Sequence, residues 1–487
     1  MAALYIDKVR KYMRLGKVIF IILISAVCYF FSTGFYDVWP LVWIAPIPIL
    51  LFSLYERKIA IIFLAAFLAY FIGGLNILYY ATTILPIFGF VIGIFISAFI
   101  FAVIVVASRF IIKKSNRWWS VFAFPCLLIT FEFIISNFSS AGTVDSLAYT
   151  QFKFLPVIQV ASITGIWGIT FILGLFASAV VTAWYLRKNK KQMLLGLFIP
   201  IAIIVFVLGF GGVRLVYSKP IGTVKAGLLA APLSMHNLFT INSQIAKEGV
   251  MSYFRQIPKL KKQGVDIILM PEEIVITKPA YDTQILNLFQ KAAKENRIML
   301  AFGFRQLTNG KTKNTAFVIS KDGKIIIRYY KHHMVSATEG GFYLGKKTKT
   351  FKLNKHLIGI AICKDNDFIY PDLEYSKKGV GSLLVLAWDF GVDRWLHAKP
   401  SFMRGVEGGY SVVRVAQDGY LSVTDECGRM LEIKQTSFKK AVFMVVDVPI
   451  YAGNTIYSQF GDWFVWLSVI GIFLLIFMAL LKRPKNT

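Results

Sequence analysis

The stretch LIGIAICKDND, Leu357 to Asp367, decides how the second half of the chain is read. Six mostly apolar residues, three of them β-branched, run into Cys363 and then break into Lys364, Asp365, Asn366 and Asp367. The pattern predicts a buried strand that delivers a cysteine to the loop at its C-terminal end. Such a position suits chemistry, because the strand fixes the side chain while the loop leaves it reachable. A thiol becomes a good nucleophile only when something lowers its pKa or removes its proton. The rest of the chain is therefore searched for groups that serve Cys363.

Two further segments have the same form. Val265–Glu273, VDIILMPEE, is an apolar run ending in Pro271, Glu272 and Glu273. Lys324–Lys331, KIIIRYYK, ends at Lys331 and is followed by HHMVSATE, which brings a second carboxylate, Glu339. Glu, Lys and Cys thus each follow a strand, in that order. In this the chain resembles the carbon–nitrogen hydrolase (nitrilase) superfamily, whose triad is Glu, Lys and Cys. The matching motifs read PEE, NTAFVISKDGKIIIRYYKHHMV and GIAICKD. A fourth block, LLVLAWDFGVDRWLHAKPSFMRGVEGGYSVVRVAQDGY from Leu383 to Tyr420, and the Lys331–Glu339 spacing look most like one branch, the apolipoprotein N-acyltransferases.

The resemblance implies a four-layer α-β-β-α sandwich and a catalytic triad of Glu272, Lys331 and Cys363, Glu272 being the residue directly after Pro. It implies a phospholipid acyl donor and, as acceptor, the free α-amine of a diacylglyceryl-modified cysteine at the N-terminus of a lipoprotein. Glu339 matches the family's second essential Glu, expected to orient Lys331 or the acceptor. Three places depart from the family's usual pattern: Cys363-Lys364-Asp365 for Cys-Tyr-Glu, Ser336-Ala337-Thr338-Glu339 for Pro-Phe-Gly-Glu, and Leu386-Ala387-Trp388-Asp389-Phe390 for Asn-Asp-Ala-Trp-Phe. Lys364, Asp365 and Trp388 are therefore supporting or substrate-reading candidates.

The chemistry follows from residue type. Glu272 can take the thiol proton and return it to the leaving group. Lys331 is a fixed positive charge that favours the thiolate and stabilises an oxyanion, with the backbone N–H of Lys364 as a second donor. Attack on an acyl carbon gives a thioester; an amine resolves it as an N-acyltransferase, water as a hydrolase. Each residue alone also has a plain structural reading: a buried thiol, a helix N-terminal carboxylate, a surface charge. The alternatives to acyl transfer are a membrane-tethered amidase acting on an external amide and a catalytically silent relative that binds lipoproteins.

Of the 487 residues, 56% are hydrophobic, and the mean hydropathy is +0.61. That is too apolar for a soluble protein of this size. The excess lies in runs near 17–34, 41–55, 59–81, 86–112, 118–138, 154–186, 193–217 and 461–481, read as eight spans of which the second is short. The first is read as a retained span and not a signal peptide, because further spans follow and no clear cleavage site does. The expected domains are 1–217 (seven-span membrane domain), 218–455 (extracytoplasmic nitrilase-like catalytic domain) and 456–487 (eighth helix and basic cytoplasmic tail).

Basic residues set the expected sidedness. Lys8, Arg10, Lys11, Arg14 and Lys17 precede the first span. Arg57 and Lys58, then Arg109 to Arg117, then Arg187 to Lys191, then Lys482, Arg483 and Lys485 occupy alternate connections. The remaining loops, 34–40, 82–85 and 139–153, hold one basic residue, Lys153. By the positive-inside rule the basic side is cytoplasmic and the catalytic segment lies outside the cytoplasmic (inner) membrane of a bacterium.

Part of the formal charge of +28 is these anchors. The Lys-rich stretches KLKKQG and GKKTKTFKLNK read as a solvated face, or as attraction to an anionic membrane surface. No nucleic-acid module is present, so the partners expected are lipid and lipoprotein, with the protein itself a monomer. No metal spacing occurs and no cofactor is implied; the His332–His333 pair would diverge on an extended segment. Cys28 and Cys126 read as small apolar residues within spans. Cys427 falls in a turn, and a Cys363–Cys427 disulfide is not expected, since it would block the nucleophile. Glu132, inside a span, faces either a functional cavity or a structural hydrogen bond near the interface.

Between 218 and 455, strands are predicted at 224–230, 265–273, 298–304, 314–320, 324–330, 357–362, 382–387 and 410–417. Helices are predicted at 243–262, with an irregularity at Pro258, at 281–296 and at 398–407. The alternation implies an α/β domain.

Overall fold

A computed structural model describes residues 2–80, 87–232, 243–308, 310–335 and 338–481. The loop 82–85, the pair Ser336–Ala337 and the tail bearing Lys482, Arg483 and Lys485 lie outside the described residues.

Seven described helices are long and apolar enough to cross a membrane: Leu15–Ser32, Ile59–Tyr80, Phe88–Ser115, Trp118–Phe138, Ile166–Tyr185, Lys190–Tyr217 and Trp463–Leu481. Their bundle-facing positions are small or tightly packed, as at Ala65, Ala66, Ala69 and Ala102. Large apolar side chains such as Phe206 and Phe473 point outward, 73% and 69% exposed, as lipid contact requires. The run 41–55 folds as two short helices, Pro40–Ile44 and Ile47–Tyr55, interrupted at Pro46, which cannot donate to the helix ladder. The run 154–186 is likewise broken. Leu155–Ile158 and Ala161–Thr164 are single turns, and Gly165, at φ +68°, starts the long helix Ile166–Tyr185. A Cβ at Gly165 would meet the Tyr457 ring at 2.5 Å, so both the conformation and the contact require glycine.

The second half is an α/β domain with two sheets. Its strands are β1 (Gly222–Ala230), β2 (Ile267–Leu269), β3 (Val275–Thr277), β4 (Met299–Gln306), β5 (Lys313–Ile319), β6 (Ile325–Tyr330), β7 (Thr350–Leu353), β8 (His356–Ile362), β9 (Ser382–Trp388), β10 (Ser411–Gln417), β11 (Tyr420–Thr424), β12 (Met430–Gln435) and β13 (Val442–Ile450). One sheet runs β13-β1-β2-β4-β5-β6, with β3 paired to β4; the other runs β12-β11-β10-β9-β8-β7. The inner faces meet in a shared apolar core that includes Leu228, Ile360, Leu386, Val413 and Val446.

Helix Pro279–Asn296 covers the outer face of the first sheet, where Phe289 stacks on Phe302 at 3.7 Å. Helix Arg394–Gly408 covers the second sheet, and its other side joins the membrane helices. Phe402, Met403 and Val406 share one core with Phe152, Ile158 and Trp167. Polar contacts fasten the same face: Asp37 accepts from Trp395 and Lys399, each at 2.6 Å, and Tyr80 donates to Asp393 at 3.0 Å.

Most predicted elements are present within a few residues. The helix 243–262 divides before Pro258 into Ser243–Phe254 and Ile257–Lys261. The Glu-bearing strand is only three residues, because Pro271 and the left-handed Glu273 (φ +51°) end it early. The strands β3, β7, β11, β12 and β13 were not anticipated. Of these β13 matters most, since it pairs antiparallel along the whole of β1 and completes the first sheet.

Candidate active site

Sheet topology explains why distant residues meet. β4 pairs antiparallel with β5, and β5 with β6, so β4 and β6 run the same way; β2 is parallel to β4. The C-terminal ends of β2 and β6 therefore lie on one edge and carry Glu272 and Lys331 there. β8 brings Cys363 from the facing sheet.

The loop bearing Glu272 lies directly over β4. The N–H of Gly303 donates to Pro271 O at 2.9 Å, and a Cβ at Gly303 would meet the Glu272 Cα at 2.4 Å. The N–H of Glu272 reaches the carbonyl of Ala387 in the other sheet at 3.3 Å. Lys331 continues β6 into a turn: its N–H donates to Asn314 O at 3.0 Å, and its carbonyl accepts from Gly345 at 2.8 Å.

The side chains form a buried polar cluster. Lys331 Nζ donates to Glu272 Oε1 at 2.8 Å and to Glu339 Oε2 at 2.8 Å. Asn314 Nδ2 donates to the same two carboxylates, at 2.7 and 2.8 Å. Glu339 Oε2 also accepts from the N–H of Val335 at 2.7 Å. Glu273, beside Glu272, is bound by both arms of Arg305, with Nε 2.7 Å from Oε1, and Arg305 lies over the Phe342 ring. Glu272, Glu273 and Glu339 bring carboxylate oxygens within 4.8 Å of one another, a spacing a cation accepts. The ammonium of Lys331 already sits among them, and Arg305 already faces Glu273.

Burial and the Lys331–carboxylate pairs compete in the electrostatics. Burial pushes the Glu272 carboxyl above the usual range, against the pull of Lys331. It raises Glu273 to about 7, with Arg305 only partly offsetting it. Glu339 is also buried, but the charge and hydrogen bond of Lys331 and the Val335 N–H outweigh burial and hold it low. Burial would lower Lys331, yet Glu272 and Glu339 together raise it well above the ordinary lysine value.

Cys363 opens the short 3₁₀ turn Cys363–Asp367 with φ +44°, in the left-handed region that a non-glycine residue rarely occupies. Its Sγ is 3.7 Å from Trp388 O, at the end of β9. Burial and the Glu272 carboxylate push the thiol well above its usual value, and Lys331 does not overcome them. Lys331 pulls towards the thiolate, as expected of a nearby cation, but burial and Glu272 outweigh that pull on the thiol. Its proton leaves only when a base accepts it.

Asp365 is fully buried beneath this turn. It accepts from the N–H groups of His332 and His333 at 2.9 Å, from Ile362 N–H at 3.1 Å and from Tyr329 OH at 2.7 Å. Burial raises its pKa, but these donors and the two imidazoles outweigh that and hold it low. The carboxylate fastens the Cys363 turn to the residues after Lys331. Lys364 is half-exposed beside Cys363. Trp388 is half-buried against Phe438, and its indole N–H is enclosed without an acceptor among the described residues. Behind the cysteine, Arg414 and Asp389 form a buried bidentate pair at 2.8 and 2.6 Å.

Asn314, Arg305 and the Arg414–Asp389 pair were missed by sequence reasoning. Asn314 alone left a signal: a polar residue at the start of an apolar strand within the NTAFV motif. Glu132, in the helix Ala123–Phe138, accepts from Leu147 N–H at 2.8 Å and holds the following loop. All four cysteines are free, and Cys427 is buried near Arg214 O. His333 stacks on Phe368 at 3.8 Å, while His332 Nδ1 meets Tyr329 OH at 2.7 Å.

Comparison with known proteins gives two domain matches. Residues 25–179 match the apolipoprotein N-acyltransferase N-terminal domain, and residues 239–429 match the carbon–nitrogen hydrolase domain. The chain is 25% identical over 390 residues to the apolipoprotein N-acyltransferase of Geobacter metallireducens, covering 72% of each chain. It is 21% identical over 445 residues to apolipoprotein N-acyltransferase 1 of Treponema denticola, covering 78% of this chain and 81% of that protein. Among solved structures, an amidase from Nesterenkonia sp. aligns with a TM-score of 0.40 and 15% identity, over 47% of this chain and 91% of the amidase.

Proposed function

This chain belongs to the apolipoprotein N-acyltransferase family of the nitrilase superfamily, and on that premise we propose that it moves a fatty acyl chain from a phospholipid, through a Cys363 thioester, to the α-amine of a diacylglyceryl-modified cysteine on a lipoprotein. The observation that carries the assignment of roles is the buried Glu272–Lys331–Glu339 cluster acting electrostatically on a strained cysteine.

In the first half-reaction Cys363 Sγ attacks the ester carbonyl of the donor while Glu272 takes the thiol proton. Lys331 and the backbone N–H of Lys364 stabilise the developing oxyanion. The tetrahedral species collapses, the C–O bond breaks, and Glu272 returns its proton to the departing lysophospholipid oxygen. In the second half, Glu272 takes a proton from the attacking neutral amine. The C–S bond breaks and the sulfur regains that proton. Glu339 keeps Lys331 charged and aimed throughout. Asn314 serves Glu272 by donating to its ionised form.

Burial raises the proton affinity of both Glu272 and Cys363, which suits passing one proton between them. No observation favours the amidase or the silent binder.

The reading extends to topology. We infer eight crossings, with the short pair Pro40–Tyr55 as one of them. Two sets of contacts support it: Asp37 bonds to Trp395 and Lys399, while at the other end Tyr55 accepts from Arg187, and Ser53 O and Glu56 O accept from Arg109. Basic connections then share the side away from the α/β domain, which is the cytoplasmic side of a bacterial inner membrane, with both termini there. Domain limits of 1–217, 218–455 and 456–487 fit that arrangement.

The test is intact mass of the purified protein after incubation with phospholipid, with Cys363→Ala alongside. A fatty-acyl increment on the wild type alone, discharged by a diacylglyceryl lipopeptide, is expected. Discharge by water alone would replace the acyltransferase with a lipid hydrolase. No increment on folded protein would remove the lipid donor.

A further inference from the structure

Cys363 is held in its left-handed conformation from one side by β8, which delivers it. The other end of its turn, Asn366–Asp367, is held by residues remote in sequence. Thr143 lies in the loop between helices Ala123–Phe138 and Ile166–Tyr185. Its N–H and its hydroxyl both donate to the carbonyl of Asp367, at 2.8 and 2.7 Å. Arg404, fully buried in helix Arg394–Gly408, donates through Nε to Asn366 O at 3.1 Å and through Nη2 to Thr143 Oγ1 and Tyr149 OH at 2.7 Å each. Its other arm binds Glu407, whose second oxygen accepts from the N–H of Ile166 at 2.9 Å, the first residue of a membrane helix.

The contact is close. Gly142 has φ +61°, and a Cβ there would meet Asp367 O at 2.5 Å. The carbonyls of Asn366 and Asp367 thus end on donors supplied by Arg404 and by a membrane-bundle loop.

We propose that Thr143 and Arg404 are positioning residues that clamp the far end of the nucleophile turn to the membrane bundle and so hold Cys363 in its reactive conformation. Neither touches the reacting atoms. The physical argument is that an unusual backbone conformation persists only where the surroundings over-determine it. Removing one anchor lets the turn relax, and misplacing a nucleophile by about 1 Å costs up to roughly 100-fold in rate. The inference rests on Cys363 being the nucleophile, but its test does not depend on which substrate acylates it.

The experiment uses the full chain in lipid nanodiscs. Two quantities are measured: the iodoacetamide alkylation rate of Cys363, with Cys363→Ala as the blank, and kcat and KM for acyl transfer from phospholipid. Thr143→Val is expected to slow alkylation and lower kcat about tenfold, with KM and thermal midpoint near wild type. Thr143→Ser, which keeps the hydroxyl, recovers both rates. Thr143→Ala gives the same reading should the valine variant not fold. Wild-type alkylation and kcat per folded molecule in Thr143→Val and Thr143→Ala would overturn the clamp. Slowed alkylation in a protein whose wild type transfers no acyl group would uphold the clamp and sink the acyltransferase reading instead.

Discussion

Glu273, one residue beyond the proposed base, is bound by both arms of Arg305, and yet its carboxyl is raised to about 7. Burial, together with the nearby carboxylates Glu272 and Glu339, outweighs what the guanidinium returns. A folded-state value above the unfolded one means stability that is complete below the unfolded carboxyl pKa and is lost as pH rises through about 7. Glu273→Gln removes that loss. The melting temperature of Glu273→Gln relative to wild type should therefore rise between pH 5 and pH 8, by on the order of a few degrees. A difference that is flat or falls over this range would show that the Glu273 carboxyl is not raised.

Asn314 donates to both carboxylates that flank Lys331. Donors to an ionised carboxylate lower its pKa, so their loss raises it. In Asn314→Ala the acidic limb of the acylation rate should move to higher pH, because Glu272 must be ionised to accept the thiol proton. Stopped-flow acylation from pH 5 to 9 reads this directly. An unshifted limb with a uniformly lower rate would make Asn314 a packing residue.

Lys331→Met leaves Glu272 and Glu339 facing each other with Asn314 alone between them. The two carboxyls should then share a proton, and the oxyanion loses its cation. Acyl transfer should fall by roughly 10²–10³-fold. Lys331→Arg should not restore it, since a planar fork cannot serve Glu272, Glu339 and the oxyanion from one point. Near-wild-type turnover in the arginine variant would argue for bulk charge over geometry.

Asp365 is held low by its donors although it is buried. Its contribution is present above the unfolded carboxyl pKa and is lost as pH falls through the depressed folded value. Asp365→Asn should destabilise the protein by about 2–3 kcal/mol at pH 7, since it weakens charge-assisted bonds to three N–H groups and a tyrosine. The deficit should narrow below pH 4. Thermal unfolding of both proteins across that range decides it, and a deficit independent of pH would place the loss in packing and not in charge.

The three candidate residues were legible in sequence because each ends an apolar run, and a strand end is a place that periodicity can find. Glu339 and Asp365 were also within reach through the family resemblance, Glu339 by its place after Lys331 and Asp365 by its place in the Cys363 motif. Asn314 left only the signal of a polar residue opening an apolar strand, and Arg305 left none. Their partners lie 42 and 32 residues away, and only the pairing of β2, β4, β5 and β6 brings them together. The net direction of the Cys363 shift was out of reach for a related reason: counting Lys331 as a neighbour is simple, but the cost of enclosing a thiolate beside Glu272 depends on burial that one strand does not reveal. Hydropathy found the apolar runs of the membrane half. It did not find the interruptions at Pro46 and Gly165, which depend on local backbone and, at Gly165, on the ring of Tyr457.

Helix Arg394–Gly408 sits within one continuous core, with β8–β10 on one side and the aromatic and aliphatic side chains of the bundle on the other. An α/β domain expressed without its bundle would present Phe402, Met403 and Val406 to water, with the Arg404–Glu407 pair stripped of several partners. Such a fragment is a poor candidate for a soluble enzyme and a good one for aggregation. Swapping the domain onto another bundle would fail for the same reason unless residues 139–167 travel with it, so the two halves are expected to be inherited, engineered and inactivated together.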